Sequence, residues 1–254
     1  QDFIDCHLRF LLKYIRKIEW PAVQSEPVIE QEARIELGQQ FHRLAQQYFA
    51  GIDPLLLSSS IQSPELLEWW KRFTALNLLE VPGEKNSEKL LSVPFDRHRM
   101  VAKYDLLIQD VLGKFSIYDW KTSQFRPSRS ILLDRIQSIV YPFVLQRTSP
   151  RSDTEEAHFL EIEMVYWFPA FPDEPIRFNY SLDKYIEDSK KLTHLVQLIQ
   201  SLPEDKFEKT ADLKKCEFCQ FRSYCERGSS AGVITGYTEL PAEDNAFELD
   251  FDAL

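Results

Sequence analysis

Long apolar runs are missing from this 254-residue chain, and no stretch approaches the roughly 20 residues that a membrane span requires. The opening residues, Gln1-Asp2-Phe3-Ile4-Asp5, hold neither the basic nor the apolar part of a secretory signal. The expectation is therefore a cytoplasmic chain with no membrane association. Seven glycines and 14 prolines are too few for a low-complexity protein. There is no internal repeat and no helicase motif, so any unwinding of a duplex would have to come from another chain. Lys and Arg are absent from residues 229–254, which hold six acids, Glu239, Glu243, Asp244, Glu248, Asp250 and Asp252. This stretch reads as a flexible acidic tail, although Phe247, Leu249 and Phe251 alternate with acids as a docking strand would. Cysteine is scarce too: Cys6 stands alone near the start, and Cys216, Cys219 and Cys225 form a C-x2-C-x5-C group.

What remains is a globular composition. At 44% hydrophobic, the chain can bury one large core, or a core with a satellite. Its net charge of −10 argues at first sight against a nucleic-acid partner. Setting the tail aside leaves 30 basic and 34 acidic residues in 1–228, a net of −4. A locally basic cleft is compatible with that balance, so charge excludes nothing.

Apolar spacing predicts helices over 3–18, 29–50 and 64–76, the last opened by the N-cap pattern Ser63-Pro64-Glu65. Short β-rich runs follow at 90–97, 100–109 and 114–120, with a turn at Val111-Leu112-Gly113. A helix over 130–146, strands at 158–168 and 175–180 and a helix over 182–201 complete the pattern. The order is helices, then a sheet with an inserted helix, then a cysteine-rich end.

A turn centred on Leu112 sets Asp105 opposite Asp119 on neighbouring antiparallel strands. Side chains alternate along a strand, so Asp119 and Lys121 share a face while Trp120 points away. Two carboxylates and an ammonium then meet at one point. Hard oxygen ligands select Mg²⁺ or Mn²⁺, which activate water and polarise a phosphate, and an ammonium beside them can orient that water. A lone D-x-K matches by accident far more often than not. His42 on an otherwise apolar helical stretch, and Gln137 and Tyr141 four apart on one helix face, mean little singly.

The cysteine spacing is that of a metal site, and in a cytosolic chain it outranks disulfides. Cys216, Cys219 and Cys225 surround one point, and Cys6 is the cysteine left to complete four thiolates. Zinc and iron–sulfur clusters both accept four thiolates.

Taken in order, these features resemble the RecB-like branch of the PD-(D/E)XK nuclease superfamily. Gly38-x-x-Phe41-His42 is similar to its first motif, Tyr104-Asp105 to its second, Asp119-Trp120-Lys121 to its D-x-K, and Gln137-x3-Tyr141 to its Q-x3-Y. Members often carry glycine three residues before the second-motif aspartate; here Ala102 stands there, a change of packing. The resemblance spans about residues 3–228. It implies metal ligation by His42, Asp105, Asp119 and the Trp120 carbonyl, catalysis by Lys121, and DNA or active-site support from Gln137 and Tyr141. The cysteine arrangement resembles the iron–sulfur staple of AddB-type nucleases and CRISPR-associated RecB-like exonucleases, which implies a 4Fe-4S cluster on Cys6, Cys216, Cys219 and Cys225, with zinc the alternative.

The expected fold is α/β, a restriction-endonuclease-like mixed sheet flanked by helices. One domain is expected over 1–228, with a helical part (1–88), a catalytic core (89–201) and a cysteine segment (202–228). The implied activity is hydrolysis of DNA as an exonuclease on single-stranded ends, in repair and recombination or CRISPR adaptation, beside a helicase or other repair or CRISPR protein. The alternative is a non-catalytic DNA-binding subunit stapled by an Fe–S or zinc site. Arg97, His98, Arg99 and Lys103 before the second strand's aspartate, and Arg126, Arg129 and Arg135 after Lys121, are candidate phosphate contacts.

Overall fold

The computed structural model describes residues 1–20, 26–148 and 159–228, and for 26–31 the backbone only. The acidic segment 229–254 lies outside the described residues. The described elements in chain order are α1 (Asp2–Asp5), α2 (His7–Phe10), a π-helical turn (Leu11–Ile15), α3 (Glu26–Phe49), α4 (Pro54–Ser60), α5 (Pro64–Thr74), β1 (Glu84–Phe95), β2 (His98–Gln109) and β3 (Phe115–Trp120). They continue with α6 (Arg129–Leu133), α7 (Ile136–Thr148), β4 (Ile162–Trp167), β5 (Ile176–Tyr180) and α8 (Leu182–Ser201). Contacts divide the described residues into two units, one holding 37–191 and the other the remainder at both ends of the chain.

In the first of these units the strands form one five-stranded sheet in sequence order. All pairings are antiparallel except β3 with β4. A parallel pair cannot be closed by a hairpin, so the chain crosses over between them, and the crossover carries α6 and α7. The β2–β3 hairpin is fixed by its turn. Gly113 adopts φ +86, a left-handed conformation easy only for glycine, and the Asp110 carboxylate accepts the amides of Leu112 at 2.8 Å and Lys114 at 2.9 Å. The resulting register pairs Leu106 with Tyr118 and Leu107 with Ile117. Its continuation sets Asp105 across from Asp119, as the turn position predicts.

An aromatic core covers one sheet face. Phe41, Leu44 and Tyr48 of α3 and Trp69, Trp70 and Phe73 of α5 pack with Leu106, Ile108, Trp120 and Trp167. Phe73 lies edge-on to Trp120 with ring centres 5.1 Å apart, a favoured aromatic arrangement. Ser63 caps α5 by accepting the Leu66 amide, with Pro64 in the first turn, as the sequence pattern requires.

Several boundaries differ from the sequence expectation. The single helix over 3–18 is interrupted at Cys6, whose backbone is extended (φ −163°, ψ 111°). Its sulfur instead accepts the Arg9 amide at 3.4 Å and caps α2. The helix over 130–146 breaks into α6 and α7, and across the break Ser138 donates its hydroxyl to the Leu132 carbonyl at 2.5 Å. The short helix α4 is capped by Asp53 and opened by Pro54, a signal passed over in the sequence. Among the described residues no helix is long and apolar enough to cross a membrane.

In the other unit, Phe3, Leu11 and Phe207 are buried together, with Leu195, Leu198 and Leu202 packed on them. This small core lies at the segments that carry the four cysteines.

Candidate functional site

Asp119 and Lys121 come off the C-terminal end of β3, one residue apart on the same face, while Trp120 is buried in the aromatic core. The Lys121 ammonium lies 2.9 Å from Asp119 Oδ2. It also donates to Gln137 Oε1 at 2.9 Å, and Gln137 Nε2 donates to Asp119 Oδ1 at 2.6 Å. The three side chains form a closed ring of hydrogen bonds. Gln137 reaches it because the parallel crossover brings the start of α7 over the end of β3.

Below that ring, the Lys121 ammonium sits 5.8 Å from the centre of the Tyr166 ring. Tyr166 lies beside Asp119 across the β3–β4 pairing, and its hydroxyl is 2.8 Å from the Ser138 hydroxyl. Asp119 is 2% exposed. Burial pushes its carboxyl up to about 7 against the lowering pull of Lys121, and the nearby Asp105 charge pushes the same way. A carboxylate so thoroughly desolvated gains from any further cation beside it.

Asp105 reaches the same place from β2. Its Oδ2 accepts the Trp120 amide at 2.7 Å, which fixes the D-x-K backbone against the carboxylate. Its Oδ1 lies 3.4 Å from Nδ1 of His42, on α3. His42 and Phe41 sit side by side on that helix, so burial of Phe41 in the core presents the imidazole to Asp105.

Tyr141 is placed differently from Gln137. Its carbonyl accepts the hydroxyl of the fully buried Tyr104 at 2.9 Å, and the two rings pack edge to face. It thereby ties α7 to β2 beside the site.

Two members of the cluster escaped the sequence reading. Tyr166 belongs to an apolar strand with no motif around it. Glu88 lies in β1, across from Asp105 in a register that pairs Ser87 with Leu106 and Lys89 with Tyr104. Its nearest sequence signal, a charged residue before the predicted strand 90–97, is too common to be informative. Among the described residues, His42, Glu88 and Asp105 form the group whose ligand atoms all lie within 4.8 Å of one another. Imidazole nitrogen with carboxylate oxygens suits Mn²⁺ or Mg²⁺ better than a soft ion, so these residues fit a divalent cation.

Four of the candidate phosphate contacts meet groups of the protein itself. Arg126 donates to the Glu174 carbonyl, Arg99 to Ser92, and the Arg129 guanidinium lies 5.9 Å from the centre of the Phe178 ring. Lys103 forms an ion pair with Glu88.

The four cysteines are all half-buried free thiols of the other unit. Cys6 occupies the break between α1 and α2 and accepts amides from Arg9 at 3.4 Å and Thr210 at 3.5 Å. Cys216 accepts from the Arg227 guanidinium at 3.0 Å, and the same side chain donates to the Thr210 carbonyl. Burial raises Cys219 and Cys225, and the other cysteines raise both further, so the four sulfurs share one neighbourhood.

Sequence comparison places these observations. A sequence model of the PD-(D/E)XK nuclease superfamily matches residues 1–226. No curated protein matches the chain. Among solved structures, SSO0001 aligns over 87% of this chain and 94% of its own, at 16% identity and TM-score 0.37. A candidate exonuclease from Eubacterium rectale aligns over 93% of this chain and 86% of its own, at 12% identity and TM-score 0.47.

Proposed function

This chain belongs to the PD-(D/E)XK nuclease superfamily, and from that premise we propose that it is a Mg²⁺- or Mn²⁺-dependent deoxyribonuclease that trims single-stranded ends. The observation that carries the catalytic reading is the Lys121 ammonium, held between the Asp119 carboxylate and the Gln137 amide beside Asp105 and His42. A solvated surface lysine would spend no such set of buried partners. Exonuclease action and single-stranded preference rest on the motif resemblance to the RecB-like branch.

His42, Asp105, Asp119 and the Trp120 carbonyl are the groups that would hold the ion. When bound, a divalent cation there supplies Lewis-acid polarisation of the scissile phosphate and a water of lowered pKa. Lys121 donates toward that water and toward the charge that develops on the phosphate oxygens. Gln137 keeps the ammonium on its axis, because its amide oxygen accepts from Lys121 while its nitrogen is anchored on Asp119. Asp105, bound to the Trp120 amide, holds the residue whose carbonyl is the proposed ligand. Free DNA ends arise both in repair and recombination and in CRISPR spacer acquisition, and in either setting a helicase or other partner protein would deliver the strand.

The four cysteines would hold a 4Fe-4S cluster. The amide and guanidinium donors aimed at Cys6 and Cys216, groups of the kind that stabilise cluster-bound sulfur, support this reading. Its role is structural, joining the first helices to the last described segment.

The test is cleavage of end-labelled single-stranded DNA by anaerobically purified protein with Mn²⁺, beside Lys121→Ala and an EDTA control. Metal-dependent cleavage lost in the variant is expected, and the labelled end gives its polarity. A folded wild type that binds DNA and cuts nothing would replace the enzyme with a DNA-binding subunit.

A further inference from the structure

Glu88 has a backbone that its place in a strand does not explain. It sits in the interior of β1 with φ +55, a left-handed conformation that costs a residue with a Cβ of order 1 kcal/mol or more. Its neighbours Ser87 and Lys89 keep regular antiparallel partners on β2, so the distortion is confined to one residue. That residue is the one opposite Asp105. Ser87 compensates locally, donating its hydroxyl to the Asp105 carbonyl at 3.2 Å.

The consequence is a pair of half-buried carboxylates facing one another across two strands, with side-chain exposures of 17% for Glu88 and 16% for Asp105. Like charges directly opposite are destabilising on a sheet. A cation between them removes the penalty. The Lys103 ammonium meets Glu88 from one side, and His42 meets Asp105 from the other. Within this frame the donor atoms of His42, Glu88 and Asp105 lie within 4.8 Å of one another. An octahedral ion with bonds of about 2.1 Å spaces its donors by about 3 Å when adjacent and about 4.2 Å when opposite.

We propose that Glu88 is a protein ligand of the divalent cation, joining His42 and Asp105, and that Lys103 is its counter-ion when no metal is bound. The inference rests on the metal-dependent reading given above and adds to it a ligand that lies in none of the four sequence motifs. The residue with the left-handed backbone is thus also the one whose carboxylate stands with His42 and Asp105. Ligation there also makes Lys103 a competitor of the cation, since an ammonium and a metal ion cannot share the same carboxylate oxygens at full strength.

The test is a calorimetric titration with Mn²⁺ alone, without DNA, of wild type, Glu88→Gln, Glu88→Asn and Lys103→Gln, each checked for a cooperative thermal transition. Asparagine tolerates a left-handed backbone, so Glu88→Asn keeps the local fold if the isosteric variant does not. Both Glu88 variants should bind Mn²⁺ on the order of tenfold more weakly or worse. Lys103→Gln should bind it as tightly as wild type or more tightly. Unchanged affinity in a Glu88 variant overturns the assignment while leaving the metal reading intact. An equal loss in Lys103→Gln also overturns it, because the ion pair and not ligation would then be what matters. A wild type that binds no Mn²⁺ overturns the metal-dependent reading itself, and this proposal with it.

Discussion

Gln137 and Lys121 lie 16 residues apart in sequence, on a helix and at a strand end, and meet with amide oxygen and ammonium 2.9 Å apart. A lysine side chain has four rotatable carbons and no fixed direction, so an ammonium that must point at one phosphate needs a second anchor besides its carboxylate. Replacing Gln137 by Ala should leave the Asp119–Lys121 pair but free the ammonium to rotate. Steady-state cleavage kinetics should show kcat down about a hundredfold, the scale of a misplaced catalytic group, with little change in KM. Loss confined to KM would assign Gln137 to DNA binding instead.

The other member of that motif should behave differently. Tyr104 donates to the Tyr141 carbonyl from a fully buried position. Tyr104→Phe removes one hydrogen bond, at a cost of about 1 kcal/mol. Thermal denaturation should show a transition lower by about 2–4 °C, with cleavage retained. A drop in cleavage without a drop in melting temperature would make this contact part of the chemistry.

Burial places the Asp119 carboxyl at about 7. A carboxyl that holds its proton more tightly folded than unfolded adds stability at acid pH, and that contribution is lost as pH rises from about 4 through about 7. In metal-free protein, the melting temperature of wild type should therefore fall relative to Asp119→Asn across this window and level off above it. A constant offset between the two curves would show that Asp119 does not titrate there. Adding Mn²⁺ should narrow the difference at neutral pH, since a cation offsets the desolvated charge.

The cysteine segment offers a separate measurement. If the four thiolates share a cluster, Cys225→Ser should yield protein without iron or brown colour. It should also be destabilised by an amount on the order of 5 kcal/mol, if closing a loop of this length follows the entropy of a cross-link. Iron and acid-labile sulfide analysis of wild type against the variant decides it. Zinc in place of iron would keep the staple and change its chemistry.

Much of this site is legible in the sequence because it depends on short-range order. Gly113 and Asp110 fix a turn, the turn fixes the β2–β3 register, and strand alternation then sets Asp119 and Lys121 on one face and Trp120 on the other. Ser63-Pro64 marks its helix for the same reason, since a cap is a contact over three residues. The break at Cys6 was not legible: the apolar spacing over 3–18 is helical, and the interruption comes with sulfur contacts to Arg9 and to Thr210, far along the chain. Nor was the division of the helix over 130–146, where Ser138 bonds to the Leu132 carbonyl and to Tyr166 of a later strand.

By itself, then, the sequence determined the mixed α/β class, the Asp105–Asp119–Lys121 constellation and the grouping of cysteines, all carried by periodicity, turns and spacing. Tertiary structure decided which side chains complete it. Glu88 stands beside the site because β1 pairs with β2 in a register that sets it across from Asp105. Gln137 closes on Lys121 because a parallel strand pair forces the chain to cross over the sheet. The pull of burial on Asp119 exists only once β4 and α7 have excluded water from it, and no local pattern of residues encodes that exclusion.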